Sequence, residues 1–189
     1  WRTANRIIKV AIKADDPTIT KQSVLPPANL VFLVDVSGSM SDNDKLPLVK
    51  SSLKMLTKQL RAQDTISIVT YAGRTQVTLP ATKGSDTDKI LAAIDSLDAS
   101  GSTNGEAAIK LAYQQAKIHY KKDGINRILM MTDGDFNVGV SDVDEMLDII
   151  RRERDSGVSL STFGFGEGNL NDHMMEQVAD NGNGNYSYI

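Results

Sequence analysis

The sequence contains no cysteine, and only two of its 189 residues are histidines. The absence of cysteine excludes disulfide bonds, thiolate metal sites and cysteine nucleophiles, and two histidines leave almost nothing for a histidine-based metal cluster. Long apolar runs are also absent. The longest covers only residues 30–34, whereas a membrane-spanning helix needs about 20 apolar residues, so we expect no direct membrane insertion by this chain.

Neither sign of charge dominates, because 21 lysine and arginine residues stand against 24 aspartate and glutamate residues. The resulting net charge of −3 gives no general attraction to nucleic acid. Hydrophobic residues make up 40% of the chain and charged residues 24%, a balance typical of a globular domain, which we expect to be a monomer. The chain begins with Trp1 rather than methionine. This indicates a piece of a longer protein, so the given sequence does not decide whether that protein has a signal peptide, lipid anchor or membrane helix.

Short apolar runs alternate with helical patterns along most of the chain. Four runs that end in polar residues or glycine predict buried strands, at residues 30–34, 65–71, 127–131 and 158–163. Apolar spacings of three and four predict helices at residues 46–60, 86–97, 104–120, 143–154 and 172–179. Two weaker strands are predicted at residues 76–79 and 185–189. This alternation predicts an α/β fold, a doubly wound and mainly parallel central sheet with helices on both faces.

The first 28 residues differ from the rest in pattern. Residues 6–13 alternate between charged and apolar near their ends, which predicts an amphipathic edge strand, and the proline-containing stretch that follows predicts a linker. We therefore expect an N-terminal extension over residues 1–28 and one α/β domain over residues 29–189.

Polar side chains gather where the predicted strands end, which is where ligands bind in parallel sheets. Asp35 follows the first central strand, with Ser37 and Ser39 just beyond it, and Asp133 follows the strand near residue 131. Thr103 lies in a serine- and glycine-rich connection between two predicted helices. Two carboxylates and three hydroxyls form an oxygen-only donor set, which suits Mg²⁺, Mn²⁺ or Ca²⁺. Because two carboxylates at most neutralise a divalent ion, the site would still attract a partner's carboxylate or water.

Each of these residues also has a simpler interpretation. Asp35, Ser37 and Ser39 could be turn and N-cap residues ahead of the helix that starts near residue 45. Thr103 and Glu106 match a capping box. Capping and metal binding can coexist at Thr103, since a hydroxyl oxygen has two lone pairs.

An enzymatic interpretation is the main alternative of a different class. Asp35 ends a strand, as the nucleophile of haloacid-dehalogenase phosphatases does, but Ser37 stands where that family needs a second aspartate as the general acid. The sequence also contains neither a phosphate-binding G-x-x-x-x-G-K-[ST] motif nor a G-x-S-x-G motif. We therefore predict that the chain is not an enzyme.

Three motifs occur in a fixed order along the chain: Asp35-Val36-Ser37-Gly38-Ser39-Met40, Gly101-Ser102-Thr103-Asn104 and Thr132-Asp133-Gly134. Together they resemble the von Willebrand factor A domain, over residues 29–189, and the chain looks most like the bacterial, envelope-associated members. The resemblance implies a Rossmann-like fold and a complete metal-ion-dependent adhesion site. By resemblance, Ser37, Ser39 and Thr103 would touch the metal directly or nearly so, and Asp35 and Asp133 would hold it directly or through water.

The resemblance also implies a function. We expect a protein-binding module that depends on Mg²⁺, or on Mn²⁺ or Ca²⁺, and whose metal shell is completed by an aspartate or glutamate of a protein partner. Its expected location is the bacterial cell envelope, periplasmic or otherwise outside the cytoplasm. A metal-stabilised scaffold domain in an envelope assembly and a Mg²⁺-dependent hydrolase are the alternatives. Family members usually carry a final helix after the last strand, which we do not find after residues 185–189, so the resemblance does not extend to allosteric switching.

Overall fold

The computed structural model describes residues 25–101, 105–134, 143–166 and 171–189. Within them, six strands form one sheet: β1 (Ala28–Asp35), β2 (Thr65–Tyr71), β3 (Thr75–Lys83), β4 (Ile125–Thr132), β5 (Ser159–Gly164) and β6 (Tyr186–Tyr188). The helices are α1 (Leu46–Thr57), α2 (Thr87–Asp95), α3 (Gly105–Ile118), α4 (Val143–Arg154) and α5 (Asp172–Asn181), with a short 3₁₀ helix at Gly38–Ser41. In these parts of the chain, no helix is both long enough and apolar enough to cross a membrane.

The predicted α/β fold with a mainly parallel sheet is confirmed. The strand order is β3-β2-β1-β4-β5-β6, and β3 alone pairs antiparallel with its neighbour. Each strand and helix predicted after residue 28 is present, with ends that differ by a few residues. The edge strand predicted at residues 6–13 lies outside the described residues.

The order of the strands decides where a ligand can bind. β1 continues to β2 on one side of the sheet, and β4 pairs with β1 on the other side, so the direction of winding reverses at β1. In open parallel sheets, this reversal leaves a crevice beyond the carboxyl ends of the two central strands. Asp35 ends β1 and Asp133 directly follows β4, so the fold places both carboxylates at that crevice.

Strand β1 is apolar on both faces because both faces are covered by helices. Val31 and Leu33 pack with residues of α3, α4 and α5, whereas Phe32 and Val34 pack with residues of α1 and α2. All four side chains have 0% exposure. Two layers of core thus hold the central strand rigidly, and with it the loop that follows Asp35.

A buried acid ties together the opposite, amino-terminal ends of β1 and β2. The Asp64 carboxylate accepts hydrogen bonds from the Ala28 backbone N–H at 2.9 Å and the Arg61 backbone N–H at 2.8 Å. The Arg61 guanidinium donates to it as well, at 2.9 Å from Nε and 2.7 Å from Nη2. Burial raises the pKa of Asp64, but these hydrogen bonds and the Arg61 charge lower it more, so the pKa lies below its ordinary value.

We expect Asp64→Asn to lower the free energy of unfolding at pH 7 by about 1–3 kcal/mol, the range for a buried charged hydrogen-bonding group. Because the folded-state pKa is depressed, wild-type Asp64 stabilises the fold above its unfolded value of about 3.9 and stops doing so as pH falls through the lower folded value. Urea unfolding at pH 7 and pH 3 measures this. The difference in stability between the wild type and the variant should be smaller at pH 3 than at pH 7, and a difference that does not change with pH would contradict the assignment.

Candidate metal centre

The Asp35 carboxylate is fixed in place at the end of β1, with 0% exposure. One oxygen accepts the Ser37 backbone N–H at 2.9 Å, and the other accepts the Thr132 hydroxyl at 2.9 Å. Burial raises the pKa of Asp35, and the charge of Asp133 adds to this, while the hydrogen bonds from Ser37 and Thr132 lower it in part. A bound cation would therefore favour the ionised carboxylate, which burial by itself disfavours.

The two serine hydroxyls lie side by side next to this carboxylate. The Oγ atoms of Ser37 and Ser39 are 3.0 Å apart, because the chain turns into the 3₁₀ helix at Gly38. Ser37 precedes that helix but its side chain makes no capping hydrogen bond, and the residue before α1 is Lys45 rather than a serine. The simpler interpretation of these serines as helix caps therefore lacks the contact that it requires.

The second carboxylate, Asp133, lies where β4 ends and is 5% exposed. The following residue, Gly134, has a φ of +84°, a conformation that glycine adopts without strain. Its backbone N–H donates to the Thr132 hydroxyl at 3.2 Å. Thr132 therefore links Asp35 to the turn that follows Asp133, because the same hydroxyl donates to Asp35.

Thr103 lies outside the described residues, as do Ser102 and Asn104. The chain just before it is joined to residues 36–41, the serine loop, since the Gly101 carbonyl accepts the Gly38 backbone N–H at 3.0 Å. Gly101 has a φ of +84°, and a Cβ built on it would lie 3.3 Å from the Gly73 backbone nitrogen. A glycine is thus required where the connection before α3 meets the loop after β1.

Four of the five predicted site residues, Asp35, Ser37, Ser39 and Asp133, therefore lie at one edge of the sheet. Three further residues, which the sequence did not identify as site residues, contact them. Thr132 and Lys45 form hydrogen bonds to the two carboxylates, and Tyr71 lies next to Asp35 on the paired strand β2. Burial and the nearby Asp35 charge raise the pKa of the fully buried Tyr71 well above its ordinary value. Tyr71 is identified by the pairing of β1 with β2, which the spacing of residues along the sequence does not reveal.

These residues fit a divalent cation that prefers oxygen ligands. The described donors at this edge are carboxylate and hydroxyl oxygens, without nitrogen or sulfur ligands, which suits Mg²⁺, Mn²⁺ or Ca²⁺. Among the residues that the structure describes, no cluster of three or more histidines and acids forms a ligand set. The centre would thus hold a metal with two carboxylates and hydroxyl groups, and the ion would keep positions for water or another ligand.

Comparisons with known proteins identify the family. Residues 29–189 match the family model described as von Willebrand factor type A domain. The chain is 55% identical over 189 residues to the Escherichia coli (strain K12) protein described as uncharacterized protein YfbK. The matched region covers all of this chain and 32% of that relative. It thus spans about a third of the curated relative's length.

Two solved structures share the fold. The first is an aerotolerance-related membrane protein from Bacteroides fragilis, with a TM-score of 0.72 and 22% identity, covering 86% of this chain and 91% of that one. The second is the manganese-loaded TRAP protein of Plasmodium vivax, with a TM-score of 0.68 and 21% identity, covering 87% of this chain and 68% of that one. The match to the family model and this shared architecture agree with the resemblance found in the sequence. The chain belongs to the von Willebrand factor type A domain family.

Proposed function

We propose that this domain is a divalent-cation-dependent protein-binding module, in which a carboxylate of a partner completes the coordination of a metal at the candidate centre. The observation that carries the proposal is the fixed, buried Asp35 beside two adjacent serine hydroxyls, across the crevice from Asp133. Mg²⁺ or Mn²⁺ is the proposed ion, since both take oxygen ligands and retain exchangeable water. Thr103 is kept in the ligand set because Gly101, two residues earlier, bonds to the serine loop.

The solved relatives support the metal and the location. One structural neighbour is loaded with manganese, and another is described as a membrane protein related to aerotolerance. We extend both to this chain as proposals: a metal at the candidate centre, and a role in the bacterial cell envelope outside the cytoplasm.

A cavity of about 450 Å³ lies beside the serine loop and supports binding of a protein partner. Val36, the residue after Asp35, lines it together with Gly101 from the connection before α3. Leu97 and Ala72 add apolar surface, and the exposed Arg74 and Asp98 add one charge of each sign. A partner whose carboxylate binds the metal would also contact this apolar and charged surface with its neighbouring residues.

Binding rather than catalysis is the better account of this centre. Ser37 contacts Ser39, and no second aspartate follows Asp35 at the position where a phosphatase of the haloacid-dehalogenase type needs its general acid. The two histidines, His119 and His173, are both exposed. We therefore propose a non-enzymatic role.

Calorimetric titration of the metal-stripped protein with Mn²⁺ tests the proposal, and water-proton relaxation by the bound Mn²⁺ reports whether exchangeable water remains. We expect saturable binding, and loss of relaxation enhancement when acetate, but not neutral acetamide, is added. Thr103→Ala should lower the Mn²⁺ affinity about tenfold, since one oxygen ligand or its orienting contact is lost.

Two outcomes would contradict the proposal. Absence of Mn²⁺ binding by the folded protein would mean that these residues serve turn and capping roles. Mn²⁺ binding that raises the melting temperature, with relaxation insensitive to acetate, would instead support the metal-stabilised scaffold.

A further inference from the structure

A lysine ammonium bridges two sides of the candidate centre. Nζ of Lys45 donates to Oδ2 of Asp133 at 3.1 Å and to the backbone carbonyl oxygen of Ser39 at 2.9 Å. A third acid, the exposed Asp42, lies 3.7 Å from the same nitrogen. Lys45 thus joins the serine loop to the end of β4, and its side chain is only 16% exposed.

Helix formation does not account for a lysine at this position. Lys45 is the residue before α1, where serine, threonine, aspartate or asparagine would cap the free backbone N–H groups. A positive charge there also opposes the helix dipole, and the first turn of α1 contains no acid to compensate. A lysine is unfavourable for helix α1 at this position, which indicates that the contacts of Lys45 across the crevice favour it there.

The fold also makes room for the lysine stem. Gly166, just after β5, has a φ of +85°, and a Cβ built on it would lie 2.6 Å from Cε and 2.7 Å from Cγ of Lys45. Any side chain at residue 166 would therefore displace the lysine. A glycine on one element and a lysine on another are matched in shape, although they are far apart in the sequence.

The charge balance follows from these contacts. Among the buried and partly buried charges of the centre, Asp35, Asp133 and Lys45 carry a formal sum of −1, so a divalent ion would bring them to +1. The nearby acids Asp42 and Asp44 are exposed, so solvent and salt screen their charges. Without the ammonium, the two carboxylates would neutralise the ion. The lysine therefore repels the metal, and once a metal is bound it leaves a positive excess that attracts an anion.

Resting on the proposed function, we infer that Lys45 is a specificity-determining residue, which weakens the binding of the metal by itself and strengthens the binding of a carboxylate to the metal-loaded domain. The occupied centre then discriminates in favour of acidic partners. Metal and acidic partner bind as a mutually dependent pair, because each supplies a charge that the other needs.

Lys45→Met tests this, because it keeps an unbranched apolar stem and removes the charge. At low ionic strength, where charges are least screened, we expect calorimetry to give about tenfold tighter Mn²⁺ binding than in the wild type. Acetate, detected by water-proton relaxation of the Mn²⁺-loaded protein, should bind about threefold more weakly. Lys45→Arg keeps the charge and should resemble the wild type in both measurements.

Lys54→Met is the matched control, since it removes the same charge from a more exposed lysine within α1, which pairs with Asp95. It should leave both affinities unchanged, and circular dichroism checks that each variant is folded. A Lys45→Met protein that binds Mn²⁺ no more tightly than a metal-binding wild type overturns the inference and leaves the proposed function standing. Failure of both proteins to bind Mn²⁺ overturns the two together, whereas Mn²⁺ binding by the variant alone supports the role of the lysine.

Discussion

Asp35→Asn is expected to lower the Mn²⁺ and Mg²⁺ affinity at least about 100-fold, because it removes one of only two carboxylates from the described part of the centre. The metal-free fold should persist, with a free energy of unfolding within about 1 kcal/mol of the wild type. The amide oxygen can accept the Ser37 N–H, and the amide nitrogen can donate to Thr132, whose hydroxyl oxygen accepts as well as donates. Calorimetry and urea unfolding measure the two quantities separately.

Asp64→Asn provides the control for that experiment. Asp64 is also a buried acid, with 4% exposure, but it lies at the opposite ends of the strands. The Asp64→Asn variant should have a lower free energy of unfolding and the wild-type metal affinity, which is the reverse of the expectation for Asp35→Asn. Wild-type Mn²⁺ affinity in folded Asp35→Asn would show that the candidate centre is not the metal site.

Phe32→Ala is expected to have the largest effect on folding, lowering the free energy of unfolding by about 3–5 kcal/mol. Phe32 lies on the central strand with 0% exposure, among the packed residues that β1 and β2 share with α1 and α2. For a chain of this length, that loss corresponds to a fall in melting temperature of roughly 10 °C. Urea unfolding measures the loss of stability as a lower midpoint concentration, and the slope of the free energy of unfolding against urea concentration should not change.

The same variant should change the metal affinity of the folded protein far less than Asp35→Asn does, because Phe32 offers no metal ligand. The Phe32 side chain packs against α1 and α2, whereas Asp35 lies on the opposite face of β1, in alternation with Val31 and Leu33. Met55→Ala is the control for stability: Met55 is 66% exposed, and its loss should change stability by less than about 0.5 kcal/mol. A cost below 1 kcal/mol for Phe32→Ala would contradict the tightly packed core.

Four of the predicted ligands follow from their place after apolar runs. The run at residues 30–34 identifies a strand buried on both faces, and Asp35 is the first acid after it. The carboxyl ends of parallel strands share one edge, so Asp35 and Asp133 were expected to lie together. Ser37 and Ser39 are predicted because they lie just beyond Asp35, and the 3₁₀ helix accounts for the 3.0 Å between their hydroxyls.

The role of Lys45 was not predictable in this way. The sequence marks it only as the residue before a helix, and a lysine before a helix is usually a solvated charge. Its contact with Asp133 joins residues 88 apart, and the contact of Thr132 with Asp35 joins residues 97 apart. Neither separation relates to a helical or strand period.

The sequence by itself determined the helices and strands, the doubly wound class and the oxygen-only chemistry of the candidate site. The helices and strands depend on side-chain spacings of two to four residues, which reflect the geometry of the strand and the helix. The chemistry of the site depends on the residue types that follow the strands. Only the tertiary structure decided that Lys45 reaches Asp133, that Gly166 makes room for it and that Thr132 holds Asp35. The physical reason is the strand order: winding that reverses at β1 brings distant segments to one edge, where their charges interact through a few ångströms of protein.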